Sequence, residues 1–369
     1  NTIILMDAVN TVVIDCGTRV CKVGFSGADR PQETYPSVIG QPRHCQSHTF
    51  QKFIGHAALQ RRGLYALRYP VEHGIITDWD SAEDLMSHGY EQLQTRPEEQ
   101  AVLIIDSAFS SRSYREKLTQ IMFEHFNVPA LYIAKQPVMS LFAAGKKTGL
   151  AIDAGANRCN VVPVYEGCII SHGMKQSSLG GLDITDYMIK LLTERGYPLL
   201  VTSDRSPFQN MTESVGYVSQ NYEQDLKTAK ETTYESPEGF VITFGEEPFK
   251  CTEPLFDPPQ IGKDCDGIHQ MAYQSIMQSD EEIRAELFQN IVVGGGPSLF
   301  PGFMERVQKE MNALVPDGME AKVISAGTER QFSSWFGGSM FASLPSFHEM
   351  CIPLVDYNEH GPSLHRLCM

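Results

Sequence analysis

A short pattern occurs twice in this chain and limits what it can fold into. Val12-Val13-Ile14-Asp15-Cys16-Gly17 returns as Leu150-Ala151-Ile152-Asp153-Ala154-Gly155, each an apolar run that ends in Asp-x-Gly. Aliphatic, β-branched runs bounded by turn formers read as strands. After each turn the chain resumes a strand-like pattern, with Val20, Lys22, Gly24 and Phe25 following the first and Val161-Val162-Pro163-Val164-Tyr165 the second. Both copies are therefore expected to be β-hairpins. A P-loop would instead need a strand, a glycine-rich loop and a helix, and G-x-x-x-x-G-K-[ST] does not occur. At 369 residues the chain exceeds the roughly 250–300 residues at which a single core stops growing, so two lobes are expected, one per hairpin and both facing one ligand.

Such tips suit phosphate. Successive backbone N–H groups in a tight turn form an anion-binding nest, and glycine lets the backbone come close. An Asp at the strand end would repel phosphate directly, but a hydrated divalent cation between them removes the conflict, which gives Asp15 and Asp153 a joint role around a metal-bound nucleotide. The competing reading is two ordinary hairpins with turn-forming Asp and Gly. Repetition favours the ligand. Two more glycine turns agree: Ile291-Val292-Val293 runs into Gly294-Gly295-Gly296, and Gly180-Gly181 precedes a helix expected over 184–193 with Asp183 as its cap. Elsewhere, Leu118, Ile121, Met122 and Phe126 fall at helical spacing and read as core. Pro and Gly punctuate 237–262, which reads as loops and short strands.

A net charge of −15 disfavours general binding to nucleic acid or anionic membrane. The nine cysteines are scattered without a C-x-x-C pair, as expected in a reducing compartment. No apolar stretch has the length of a membrane span, and the first ten residues lack the features of a signal peptide. His44 and His48 are read as incidental rather than metal-binding.

Longer runs carry a family resemblance. Cys21-Lys22-Val23-Gly24-Phe25-Ser26-Gly27, Tyr69-Pro70-Val71-Glu72-His73-Gly74-Ile75-Ile76-Thr77, Arg115 to Glu124 (REKLTQIMFE), Leu191-Leu192-Thr193-Glu194-Arg195-Gly196-Tyr197 and Trp335-Phe336-Gly337-Gly338-Ser339 all resemble actin, in order. So does the segment Gly361-Pro362-Ser363-Leu364-His365-Arg366. The fold implied is α/β and actin-like, shared with Hsp70 chaperones and sugar kinases, with two lobes around a nucleotide cleft. The resemblance implies an outer lobe of 1–143 plus 332–369 with a tip subdomain near 37–68, and an inner lobe of 144–331 with a tip near 180–266.

It also implies ATP or ADP with Mg2+, or Ca2+ in its place. Asp15, Gly17, Thr18 and Lys22 match the first phosphate loop, and Asp153 and Gly155 the second. Gly181, Glu213, Gly295 and Gly296 match positions around ribose and adenine. Asp15 would act on the cation through its waters. Gln136 matches the residue that, with a His, positions the attacking water, but the His position here is Asn160. Ala154 and Ala156 replace a hydroxyl residue and an Asp, and Asn160 cannot exchange protons as imidazole does. Arg19 replaces a loop Gly, to be read either as an extra charge on phosphate or as a side chain turned to solvent. Thr212, Pro297, Phe300 and Gln331 depart from the family around ribose and adenine. Hydrolysis is expected to be weak or absent.

Assembly surfaces also depart. The loop CQSHTFQK (45–52) is shorter than in conventional actin, and Gln260-Ile261-Gly262-Lys263 carries polar residues where the filament plug is apolar. An unpaired Lys263 buried in a contact would be costly. Phe142, Ala143, Ala144, Phe336, Met340 and Phe341 keep the apolar cleft in which actin receives amphipathic helices. The resulting expectation is an actin-related cytoskeletal or scaffold protein, a structural subunit of a larger assembly in the cytoplasm, the nucleus or a specialised structure. A polymerising, ATP-hydrolysing actin is the rival, and a sugar kinase of the same fold is a third reading.

Overall fold

A computed structural model describes residues 10–42, 52–197, 205–236, 239, 241–325 and 329–364. The loop 45–51, His44, His48, His365 and Arg366 lie outside the described residues. The chain divides into two compact units, Asn1–Gly145 with Phe332–Met369, and Lys146–Gln331. Among the described residues no helix is long and apolar enough to cross a membrane.

The first unit is built on β1 (Val12–Cys16), β2 (Val20–Phe25), β3 (Glu33–Pro36), β4 (Val102–Asp106) and β5 (Ala130–Lys135), in the order β3-β2-β1-β4-β5, with the short strand Ile352–Pro353 on the far edge. The β1–β2 and β2–β3 pairs are antiparallel, whereas β1, β4 and β5 run parallel. Parallel strands buried on both faces need continuous apolar runs, and β4 supplies one in Val102-Leu103-Ile104-Ile105, all buried. On one side lie the helix Trp79–Gln92, which buries Leu85, Met86 and Tyr90, and the helix Arg112–Gln120. The latter continues into a wider π-type turn over Ile121–His125. Leu118, Ile121, Met122 and Phe126 are all core, as their spacing predicts. On the other side the helices Gln136–Ala143 and Ser333–Ala342 cover Val13, Leu103 and Ile105. Trp335, fully buried, donates from Nε1 to Val13 O at 3.0 Å.

The second unit repeats this plan. Its strands are β6 (Gly149–Ala154), β7 (Cys159–Tyr165), β8 (Cys168–Ile169), β9 (Lys175–Ser177), β10 (Ile291–Gly294) and β11 (Val323–Ser325), ordered β8-β7-β6-β10-β11 with β9 also on β7. Again a hairpin, β6–β7, is antiparallel, and its first strand runs parallel to β10 and then β11. The repeated motif thus marks a repeated sheet.

Two expectations need correction here. The helix expected over 184–193 spans Gly181–Glu194, and Asp183 is not its N-cap: it sits inside the first turn and reaches back, with Oδ2 accepting from Gly180 N at 2.9 Å. A carboxylate there satisfies a free N–H and complements the positive end of the helix, so the start is stabilised from within. The segment 237–262 is less strand-like than its Pro and Gly suggest. Its described residues include one strand, Val241–Phe244, and then short helical turns over Glu247–Lys250, Glu253–Leu255 and Pro258–Ile261, because Pro in the first helical turn leaves no N–H unpaired.

Candidate functional site

Both hairpins end in the same turn. Gly17 N–H bonds Val20 O at 3.1 Å, and Gly155 N–H bonds Arg158 O at 2.8 Å, in each case three residues ahead. A Cβ on either glycine would stand 2.9 Å from that same carbonyl oxygen, too close for any other residue without a shift of backbone. The likeness extends to the strands. Asp15 lies opposite Lys22, and Asp153 lies opposite Asn160. Each Asp therefore faces the residue seven positions on, a correspondence that counting along the sequence would have shown.

In the first hairpin Lys22 Nζ is 2.8 Å from Asp15 Oδ2, with both side chains largely buried. Ser334 donates to the same oxygen at 3.2 Å. Sequence reasoning missed Ser334, although it directly precedes the Trp335-Phe336-Gly337 run. Thr18 Oγ1 accepts from Gly74 N at 2.8 Å, which leaves the hydroxyl proton for another acceptor. The Arg19 guanidinium stands 5.8 Å from the centre of the Tyr69 ring, so the choice between a phosphate contact and a solvent-turned side chain overlooked stacking on an aromatic face. Gln136 opens the helix Gln136–Ala143 directly after β5, and the preceding residue, Lys135, pairs with buried Asp106 at 2.7 Å.

In the second hairpin the Asn160 side chain carries no charge to answer Asp153. Its Oδ1 is buried without a hydrogen-bond partner among the described residues, and so is Oδ1 of Asn157 in the turn. Arg158 leans away, donating to Gln176 Oε1 at 2.8 Å. The turn is tied to the next glycine pair: Gly181 N–H bonds Gly155 O at 3.1 Å, and Leu182 N–H bonds Ala156 O at 2.8 Å. Gly295 closes on the same place. Its φ of +90° and the 2.1 Å that would separate a Cβ from Ala154 O both require glycine, whereas a Cβ on Gly296 would meet nothing within 4 Å. Arg330 borders this turn, donating from Nη2 to Ser298 O at 2.8 Å and accepting from Gly295 N at its carbonyl oxygen. Nothing in the local pattern around Arg330 signals that contact.

Asp153, Gly155, Asn160, Gly181, Gly295 and Gly296 thus belong to one connected set of turns. Glu213 stands apart from these hydrogen bonds, exposed on the helix Ser206–Val215 with Gln209 donating to it at 2.7 Å. Beside it Thr212 is buried and donates to Phe208 O, so it fills helix interior rather than offering a polar group outward. Pro297 and Phe300 are buried as well, and a Cβ on Gly181 would lie 3.1 Å from Pro297 Cγ. Each unit by itself has groups that suit a metal-bound phosphate: in the first, a carboxylate at a strand end, a glycine turn closed to side chains and an ammonium beside it; in the second, a carboxylate at a strand end and a glycine turn closed to side chains, with buried amide oxygens beside it.

Lys263 does not stand unpaired, and the cost assigned to burying it falls accordingly. Its ammonium pairs with Asp183 Oδ1 at 2.8 Å and donates to Ser178 O, so it braces the start of the helix Gly181–Glu194. In the first unit, Phe142 and Phe341 meet edge to face at 5.8 Å, and Met340 is exposed beside them. The protein-family model described as Actin matches residues 6–369.

Proposed function

Because that match takes in nearly the whole chain, the protein belongs to the actin family, and we propose that it is an actin-related structural subunit that binds ATP or ADP with Mg2+ and hydrolyses it weakly or not at all. Gly17, Thr18 and Lys22 would hold phosphate from one hairpin and Gly155 from the other, with Asp153 facing the metal-bound phosphate across the cation. Gly181, Glu213, Gly295 and Gly296 would line the nucleoside. The cation, reached by Asp15 through water, would neutralise phosphate charge when bound.

The observation that carries weak hydrolysis is Asn160, a neutral amide opposite Asp153 with its Oδ1 unanswered. Orienting water for attack on phosphate needs an acceptor, which an amide oxygen supplies, but an amide cannot take up the proton at neutral pH. Ala154 and Ala156 add neither a donor nor a charge. Gln136 and Asn160 could then orient the water, but neither amide would take up its proton.

The apolar face of Phe142, Ala143, Phe336, Met340 and Phe341 supports docking of an amphipathic helix from a protein partner. Such a subunit would work in the cytoplasm as part of the cytoskeleton. A polymerising, ATP-hydrolysing actin is the second reading, and paired Lys263 favours it, since a satisfied cation obstructs a filament contact less than a bare one.

Thermal unfolding with and without Mg2+–ATP tests nucleotide binding. A ligand at a hundredfold excess over its Kd stabilises the folded state by about 2.7 kcal/mol, so the midpoint should rise with ATP concentration. An unchanged midpoint at millimolar Mg2+–ATP would count against the proposal.

A further inference from the structure

Cys16 and Cys21 are the last cross-strand pair before the first turn, and their sulfur atoms are 3.2 Å apart. Because Gly17 N–H bonds Val20 O, residues 17 and 20 are a hydrogen-bonded pair. The next pair, 16 and 21, is then the non-hydrogen-bonded kind, whose Cα atoms lie about 4.5 Å apart with side chains closest. That separation falls within the roughly 4.4–6.8 Å that a disulfide spans. The two thiols differ in access: Cys16 is half-buried, and Cys21 is fully buried.

We propose that Cys16 and Cys21 are a reversible oxidation site that closes the first hairpin with a disulfide, taking a small-molecule disulfide as oxidant. The Cys16 thiolate attacks one sulfur of the oxidant, forming a mixed disulfide and expelling one thiolate, which takes up a proton. Cys21, as thiolate, then attacks the Cys16 sulfur, the mixed disulfide breaks, and the second small thiol leaves. Two protein thiols are oxidised and one disulfide is reduced to two thiols.

The closed ring contains Gly17, Thr18 and Arg19, the turn assigned above to phosphate. Oxidation would therefore fix that turn in one conformation. The cross-link itself does not depend on the nucleotide reading, and a peptide map detects it whether or not nucleotide binds.

The sequence provides a direct test, since trypsin cuts after Arg19, inside the ring, and after Lys22. The full chain is incubated with oxidised glutathione, remaining thiols are blocked with iodoacetamide, and the digest is weighed by mass spectrometry. Most of the peptide Val20-Cys21-Lys22 should be joined to the peptide ending at Arg19, lighter than the sum of the two by the hydrogens lost, and dithiothreitol should separate them. In Cys21→Ala the reaction should stop at glutathione on Cys16. Recovery of the two peptides separately alkylated from the unsubstituted chain would overturn the proposal. Stable glutathione on Cys16 in that chain, or a link from Cys16 to any other cysteine, would do the same.

Discussion

Lys22 Nζ stands 2.8 Å from Asp15 Oδ2 across the first hairpin, while the equivalent place in the second hairpin sets Asn160 opposite Asp153. Five strands of each sheet follow the same order, so at this place the two hairpins differ in their side chains. One turn has a built-in cation beside its carboxylate, and the other has a neutral amide.

Removing the ammonium tests the first half of that contrast. Lys22→Met leaves a largely buried carboxylate without its cation, with the Ser334 hydroxyl still donating at 3.2 Å. Breaking a buried pair from one side costs about 3 kcal/mol. Urea unfolding should register that loss, and nucleotide affinity should fall with it.

The hairpins were legible because they are local. A short apolar run and an Asp-x-Gly turn lie within a dozen positions, and the glycine runs marked the places where backbone approaches backbone. What escaped were contacts made by distant residues and choices that local spacing does not separate. Ser334 meets Asp15 from 319 residues away. Apolar spacing at Leu118, Ile121, Met122 and Phe126 suits both an α-helix and the π-type turn that follows it. Lys263 reads as a surface cation until the fold brings it to Asp183.

Within the glycine triplet, neighbouring substitutions should behave in opposite ways. Gly295→Ala places a Cβ 2.1 Å from Ala154 O at a φ of +90°, and is expected to cost about 3 kcal/mol or more. Gly296→Ala meets nothing within 4 Å and should cost under about 1 kcal/mol. Comparison of the two unfolding midpoints decides this.

Asp78 predicts a pH dependence. It caps the helix Trp79–Gln92, accepting from Ser81 Oγ at 2.6 Å and from Ser81 N at 3.3 Å, and these bonds hold its carboxyl below the usual value of 3.8. A depressed carboxylate contributes stability above its unfolded pKa and loses it as pH falls through the lower, folded value. Asp78→Ala should therefore cost about 1 kcal/mol at pH 7, and the variant and parent should converge in stability below pH 3.8. A gap that stays constant with pH would refute the charged cap.

Replacing the amide by an imidazole tests the second half of the contrast. Asn160→His puts a proton acceptor opposite Asp153, and proton transfer by a positioned side chain contributes on the order of 100-fold or more to rate. Phosphate release from Mg2+–ATP should rise at least about tenfold over the parent, with nucleotide affinity little changed.

The central claim is that this chain holds nucleotide without turning it over efficiently. A single-turnover experiment, with radiolabelled Mg2+–ATP at a concentration below that of the protein, measures both parts at once. The account predicts that label stays with the protein on rapid gel filtration and is recovered there chiefly as ATP. Prompt release of labelled phosphate, or elution of the protein free of nucleotide, would contradict it.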